Sequence, residues 1–208
     1  MAGRKVRQYV YTDLAGKPKL RKLRMAPKAF CMESWVAGEH EFWARGIRPE
    51  QEAFADKAMY HLPELVWALR ADELVWWSEG EKDADALRGV GAVATTHWQG
   101  ALHATRDQAR WFVQGHGPIR LAVDVDKSGA GAACAIERKR LLLYVGVERS
   151  RIQIVAPPRP HKDAAEAVEA GRPLTAFRKP NESAMTKLAA DYTTTRRKHR
   201  ESSDWLAS

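Results

Sequence analysis

Two apolar runs that each break off into carboxylates and glycine constrain this chain more than anything else in it. The first, Leu74-Val75-Trp76-Trp77-Ser78, leads into Glu79-Gly80-Glu81-Lys82-Asp83-Ala84-Asp85. The second, Ile119-Arg120-Leu121-Ala122-Val123, leads into Asp124-Val125-Asp126-Lys127-Ser128-Gly129. A short, almost uninterrupted apolar run is the mark of a strand covered on both faces. Acids and glycine at its end then stand on the rim of the sheet. Two such deliveries in one chain point to a shared acidic site.

The segments around these runs alternate in character. Strands are predicted at Leu74–Ser78, Ala92–Thr95, Ile119–Asp124 and Arg151–Val155, and helices at Asp83–Arg88, Thr105–Gln114, Ala130–Val145 and Ala164–Ala170. Strand–helix alternation of this kind gives a compact α/β fold with a parallel sheet flanked by helices. Upstream, Gln51–Lys57 and Leu62–Arg70 have helical periodicity, with Pro63 in the first turn where its missing N–H does no harm. Residues 1–48 are expected to be a small antiparallel β appendage. It has a strand over Val6–Thr12, a turn at Asp13-Leu14-Ala15-Gly16-Lys17, a returning strand over Lys19–Met25, an interruption at Pro27 and a short strand at Glu41–Ala44. Residues 49–170 make the α/β domain. Residues 171–208 carry little periodicity and read as a basic, flexible tail, with Arg196–Arg200 as a mobile basic segment.

Charge follows the same division. Of 34 Lys and Arg, nine fall in residues 1–28 against one acid, Asp13, and seven fall in residues 178–208 against four acids; the middle holds 18 basic and 21 acidic residues. A mildly acidic body between basic ends suits a polyanionic partner, nucleic acid above all, met first by the flanks. Lys17, Lys19, Arg21, Lys22 and Arg24 interleave with apolar residues, as a phosphate-contacting hairpin would. The two cysteines, Cys31 and Cys134, are too few and too far apart for a disulfide framework or a zinc module. No stretch has the length of a membrane span and no apolar signal core follows the first residues, so a soluble, cytoplasmic protein without membrane partners is expected.

At the carboxyl ends of parallel strands, ligands meet loops and helix N-termini. Glu79 lies just past one strand and Asp124 closes another. Asp126, two residues on, would share its side if the extended geometry continued. Paired aspartates make a hard oxygen site suited to Mg²⁺, with Mn²⁺ as the alternative ion. Gly80, Gly129 and Gly131 would leave room for a phosphate backbone. Asp163 begins a capping box with Glu166 and is a further candidate acid at the same rim. Lys82 and Lys127 stand close enough to neutralise substrate phosphates. Glu81, Asp83 and Asp85 are expected to start and solvate the following helix at its positive end. His97 and Trp98 are expected to be structural.

Glu79 to Leu87, then Ala94-Thr95-Thr96 with Gly100-Ala101, then Asp124-Val125-Asp126 with Gly129 resemble the Toprim domain in the form used by phage and plasmid DNA primase-like proteins. Tyr9 to Asp13 with Gly16, Arg24, Pro27-Lys28 and Phe30, and Met59 to Leu65, resemble the lead-in that often precedes that domain. The resemblance covers residues 9–168. It implies a compact Rossmann-like parallel sheet, Glu79 as general acid or base, and Asp124 and Asp126 as ligands of Mg²⁺. Val125 and His97-Trp98-Gln99 depart from the family pattern, and neither a primase zinc module nor a GxxxxGK[ST] loop accompanies the match.

Three functions follow as expectations. The first is Mg²⁺-dependent nucleotidyl transfer of primase type in the replication of a mobile element, with single-stranded DNA and nucleotides as substrates and a separate helicase as a candidate partner. The second is a Toprim nuclease that nicks or hydrolyses nucleic acid. The third is a non-catalytic nucleic-acid-binding accessory whose acids serve as caps and turns.

Overall fold

The computed structural model describes residues 4–27, 29–100 and 102–206, with side chains to residue 196. Lys28 and Ala101 lie outside that description, as do the side chains of the basic run Arg197–Arg200.

The chain opens with an antiparallel sheet of four strands in sequential order: β1 (Arg4–Thr12), β2 (Pro18–Ala26), β3 (Ala29–Val36) and β4 (Phe42–Arg45). β3 is absent from the sequence expectation, in which Pro27 interrupts the strand structure until Glu41. Pro27 instead falls in the β2–β3 turn, where a residue without an N–H removes no ladder bond. The helices α1 (Pro49–Ala55) and α2 (Leu62–Arg70) then lead to a second sheet.

That sheet is wholly parallel, with the order β6-β5-β7-β8, formed by β5 (Val75–Trp77), β6 (Val93–Thr95), β7 (Ile119–Ala122) and β8 (Ile152–Val155). The helices α3 (Glu81–Gly89), α4 (Arg106–Arg110), α5 (Ala130–Tyr144) and α6 (Ala164–Glu169) fall between or after its strands. The predicted alternation is therefore present, each strand trimmed by a residue or more. The chain steps from β5 outward to β6, crosses back to β7 and continues outward to β8. The strand order thus reverses between β5 and β7, and a crevice opens there at the carboxyl ends.

Period-two alternation divides the core. Val75, Trp77, Ile119, Leu121, Ile152 and Ile154 face α2 and α5. Trp76, Ala94, Ala122 and Val155 face the other way, towards Ala84 and Leu87 of α3, Ala164 and Ala167 of α6, and Tyr9, Tyr11 and Leu20 of the antiparallel sheet. Trp77 stacks on Phe112 at 4.8 Å between ring centroids, which ties the central strand to the turn that follows α4.

Past Gly171, where a flexible tail is expected, the chain forms the long helix α7 (Glu182–Leu206). Met185 and Ala189 are buried in the same core as α5, and Tyr192 packs against it. The stripe Met185-Leu188-Ala189-Tyr192 has helical spacing, but small and polar residues dilute it too far to read from the sequence alone. Among the described residues no helix is long and apolar enough to cross a membrane.

A buried polar cluster fastens the antiparallel sheet to the α/β layer. Lys22 on β2 reaches Glu81 at the start of α3 with Nζ 2.9 Å from Oε1. Tyr11 donates its hydroxyl to the same carboxylate at 2.6 Å, and Lys22 also donates to the Trp98 carbonyl at 3.0 Å. Lys22 is thus a structural cation and not a solvent-facing phosphate contact, and Glu81 does not solvate its helix but anchors it. Removing one member of a buried pair strands the other. Lys22→Ala is expected to lower unfolding free energy by about 3–5 kcal/mol, and Lys22→Met with Glu81→Leu to recover a large part of it, as read by urea denaturation.

Candidate active site

Glu79 sits two residues past the end of β5 and Asp124 two residues past the end of β7, on opposite lips of the crevice. The turn that carries Glu79 is held by hydroxyls. Thr96 donates to the carbonyls of Ser78 at 3.0 Å and Glu79 at 3.1 Å, and Ser78 donates to the Gly80 carbonyl at 3.0 Å. The Glu79 carboxylate itself has Oε2 buried without a hydrogen-bond partner.

Asp124 is fixed through its backbone. A Cβ on Gly131 would lie 2.1 Å from the Asp124 carbonyl oxygen, so only glycine lets the start of α5 come this close. Gly129 has a φ of +84°, and a Cβ there would meet the Leu188 carbonyl of α7 at 2.6 Å. These glycines are required by the approach of α5 and α7, and not as free space for a phosphate backbone.

Asp126 does not continue the strand direction, because β7 stops at Ala122. Its Oδ1 accepts from Gly129 N at 2.8 Å and Ala130 N at 3.3 Å as well as from the Ser128 hydroxyl, and its Oδ2 accepts from Gly131 N at 2.8 Å. The side chain therefore caps the N-terminus of α5, and these donors hold its carboxyl below the usual carboxylate range despite partial burial.

The structure adds an acid that the sequence assigns only to helix initiation. Asp83, in the first turn of α3, is buried and accepts from Ala165 N of α6 at 2.9 Å. Burial raises its carboxyl to about 6 against that hydrogen bond. Asp163 is the N-cap of α6, with its Oδ1 2.7 Å from Glu166 N, and its charge is felt at both Asp83 and Asp124. Burial, then the neighbouring Glu79, Asp83 and Asp163, push Asp124 up to about 8. Glu79 is raised too, by burial first and then by the charges of Asp126 and Asp83, with Arg138 opposing.

Carboxylates that repel one another in a crevice, one with an orphaned oxygen, and that stay raised although Arg138 opposes the repulsion, fit a divalent metal ion in chemistry and charge. Among the described residues no three acid, imidazole or thiol groups are gathered closely enough to chelate one as they stand.

The basic residues divide. Arg21 pairs with Glu33, Lys19 with Asp13 and Lys82 with Glu169 at 3.6 Å. Lys17 and Lys127 are exposed. Arg24 lies directly opposite Arg7 on one side and Phe30 on the other, on the sheet face that also carries Lys22.

His97 and Trp98 are structural, as expected. The Trp98 indole donates to the Ala55 carbonyl at 2.8 Å. His97 is fully buried; its Nδ1 accepts from the Trp77 indole at 3.2 Å, so Nε2 carries the proton towards the Gly100 carbonyl at 2.8 Å.

This architecture, an antiparallel lead-in sheet followed by a four-stranded parallel sheet with a carboxylate-lined switch point, has the fold of primase catalytic cores. The chain superposes on the primase fragment of the bacteriophage T7 primase-helicase protein with a TM-score of 0.51 at 17% identity over 79% of its length. It matches the Escherichia coli primase catalytic core with a TM-score of 0.55 at 18% identity over 86%, and the Aquifex aeolicus primase, zinc-binding and RNA polymerase domains, with 0.57 at 17% identity over 90%. It spans 58% of the T7 fragment, 54% of the Escherichia coli core and 40% of the Aquifex chain. At such identity the likeness is one of fold. No protein-family model and no curated protein sequence matches the chain.

Burial holds the His97 imidazole neutral, its pKa lowered from 6.5 to about 3. The unfolded chain takes up this proton as pH falls through about 6.5 while the folded chain refuses it, so the histidine withdraws stability between those limits, by at most about 1.4 kcal/mol per pH unit. Asp83 acts oppositely, gaining stability as pH falls through about 6. The expected outcome is that the stability difference between the native protein and His97→Gln narrows as urea denaturation is repeated from pH 7 down to pH 4.

Proposed function

We propose that the chain is a primase-type Toprim protein, of the kind carried by phages and plasmids, that catalyses Mg²⁺-dependent nucleotidyl transfer on a nucleic-acid template. The observation that carries this reading is the placement of Glu79 and Asp124 past neighbouring parallel strands at the point where strand order reverses. The shared fold of the primase cores supports it.

Asp124 and Asp126 would hold Mg²⁺ (or Mn²⁺), with Glu79 assisting. The ion, when bound, stabilises charge on the phosphate undergoing transfer. Glu79 has the environment of a proton acceptor: its carboxyl is raised by burial, so it can take the proton of an attacking hydroxyl. Asp126 keeps its charge through the α5 amides. Asp83 and Asp163 add negative potential that draws a cation into the crevice.

The template would lie along the outer end of the antiparallel sheet. Like charges directly opposite each other weaken a sheet, so the Arg7–Arg24 pair is unfavourable for the fold alone. A phosphate backbone relieves it, and the half-exposed Phe30 beside Arg24 offers a ring on which a base can stack. Lys17 and Lys127 are further phosphate contacts in this reading.

Primer synthesis on single-stranded DNA with ribonucleotides and Mg²⁺ is the direct test. Glu79→Ala and Asp124→Ala are each expected to lower it about a hundredfold or more. Nicking of plasmid without nucleotides would assign hydrolysis instead, and salt-dependent DNA binding with activity in neither assay would assign an accessory role. Without metal and above about pH 8, where Asp124 is driven into its charged form, Asp124→Asn is expected to melt higher than the native protein, since one repelling charge is gone. Mg²⁺ is expected to raise the melting temperature of the native protein only.

A further inference from the structure

Arg138 has no exposed surface, although it sits in the middle of α5. Its Nη1 donates to the Trp77 carbonyl at 2.6 Å and its Nη2 to the Ala122 carbonyl at 3.0 Å, while Nε reaches the Cys134 carbonyl of its own helix at 3.4 Å. The guanidinium carbon lies 5.8 Å from the centroid of the Trp77 ring. All three hydrogen bonds go to neutral carbonyl groups, so no carboxylate takes up the charge directly. Trp77 ends β5 and Ala122 ends β7.

We propose that Arg138 is a positioning residue of the acidic site: its planar fork clamps the ends of β5 and β7 and thereby sets the separation of Glu79 and Asp124, each two residues further along. The proposal rests on the nucleotidyl-transfer reading for its purpose, but the clamp is a property of the fold by itself.

Two features favour a clamp over a space-filling role. A guanidinium stripped of water is unfavourable unless something answers its charge, and two strand-end carbonyls could be met by a neutral amide. A neutral amide would have to present both donors from one nitrogen, whereas the guanidinium presents them from two nitrogens fixed in one plane. The charge finds its answer in the crevice, where it acts on both Glu79 and Asp124 against their mutual repulsion. The repulsion that would spread the two lips is thus opposed by a planar guanidinium hydrogen-bonded to both of the strands that bear them.

The test uses the full chain with Arg138→Lys, which keeps the charge and most of the volume but has no fork, and Arg138→Met, which loses both. Amide hydrogen exchange is measured at residues 78–80 and 123–125 and in β8. Both variants are expected to exchange about tenfold faster or more at the two strand ends, with β8 unchanged. Equal exchange in all three proteins overturns the clamp.

Binding of Mn²⁺, read by the paramagnetic resonance of the free ion, separates positioning from charge. Removing a nearby cation should tighten Mn²⁺ binding by Arg138→Met if charge were the whole effect. A positioning residue predicts the reverse, with affinity about tenfold weaker in both variants. Equal or tighter binding by Arg138→Met, where the native protein binds, overturns the proposal. If the native protein binds no Mn²⁺ while the exchange contrast holds, the functional reading fails and the clamp stands.

Discussion

Carboxylates withdrawn from water repel one another strongly, and the crevice between β5 and β7 brings Glu79, Asp83, Asp124 and Asp163 within electrostatic reach of each other. Much of the surrounding architecture answers that repulsion. The N-terminus of α6 presents Ala165 N to Asp83, and the N-terminus of α5 presents amides to Asp126. Arg138 supplies a positive charge from beneath. What stays unanswered is concentrated at Glu79, with its orphaned oxygen, and at Asp124. Unrelieved repulsion at two groups is a stability loss, of the kind that the proposed catalytic role would account for.

How much of this was legible follows from what each element buries. The parallel sheet could be read because its strands are covered on both faces and their apolar runs end abruptly in acids. Glu79 and Asp124 could be located because the rule that places ligands at strand ends depends on topology alone. The placement of Asp126 is not legible in the same way, because the period-two argument holds only while the chain is extended, and β7 stops at Ala122. Arg138 carried no signal at all: between Glu137 and Lys139 it looks like one more solvated charge on a helix, and only the packing of α5 onto the sheet reveals it. β3 and α7 escaped for a related reason. Each is only partly covered, so neither shows a clean period.

The basic N-terminal hairpin shows why a charge count is a poor guide to individual residues. Its excess of Lys and Arg suggests a uniform polyanion grip, yet Lys22, Arg21 and Lys19 are engaged with Glu81, Glu33 and Asp13. Strand alternation sorts them. Lys22 lies on the inner face over α3, and Arg21 on the outer face, where it also stacks over Trp43 at 4.5 Å. Where the inner face runs out past its protein cover, Arg7 and Arg24 meet across the ladder, and among the described residues no acid pairs with either. The surplus charge is therefore local, and it lies on the same face as the lysine that docks the sheet.

That docking bears on the site itself. Glu81 is two residues from Glu79, at the first turn of the helix whose entry turn Ser78 and Thr96 hold. Tying Glu81 to Lys22 and Tyr11 makes the antiparallel sheet a wall of the crevice with a fixed orientation to α3. A template held on Arg7 and Arg24 would then be referenced to Glu79 through a buried ion pair and not through a mobile loop. Because a buried pair is poor at adding net stability but strongly penalises misalignment, its value here is registration of one sheet on the other. The lead-in sheet and the α3 edge of the acidic crevice are consequently one structural unit, although the chain joins them through α1 and α2.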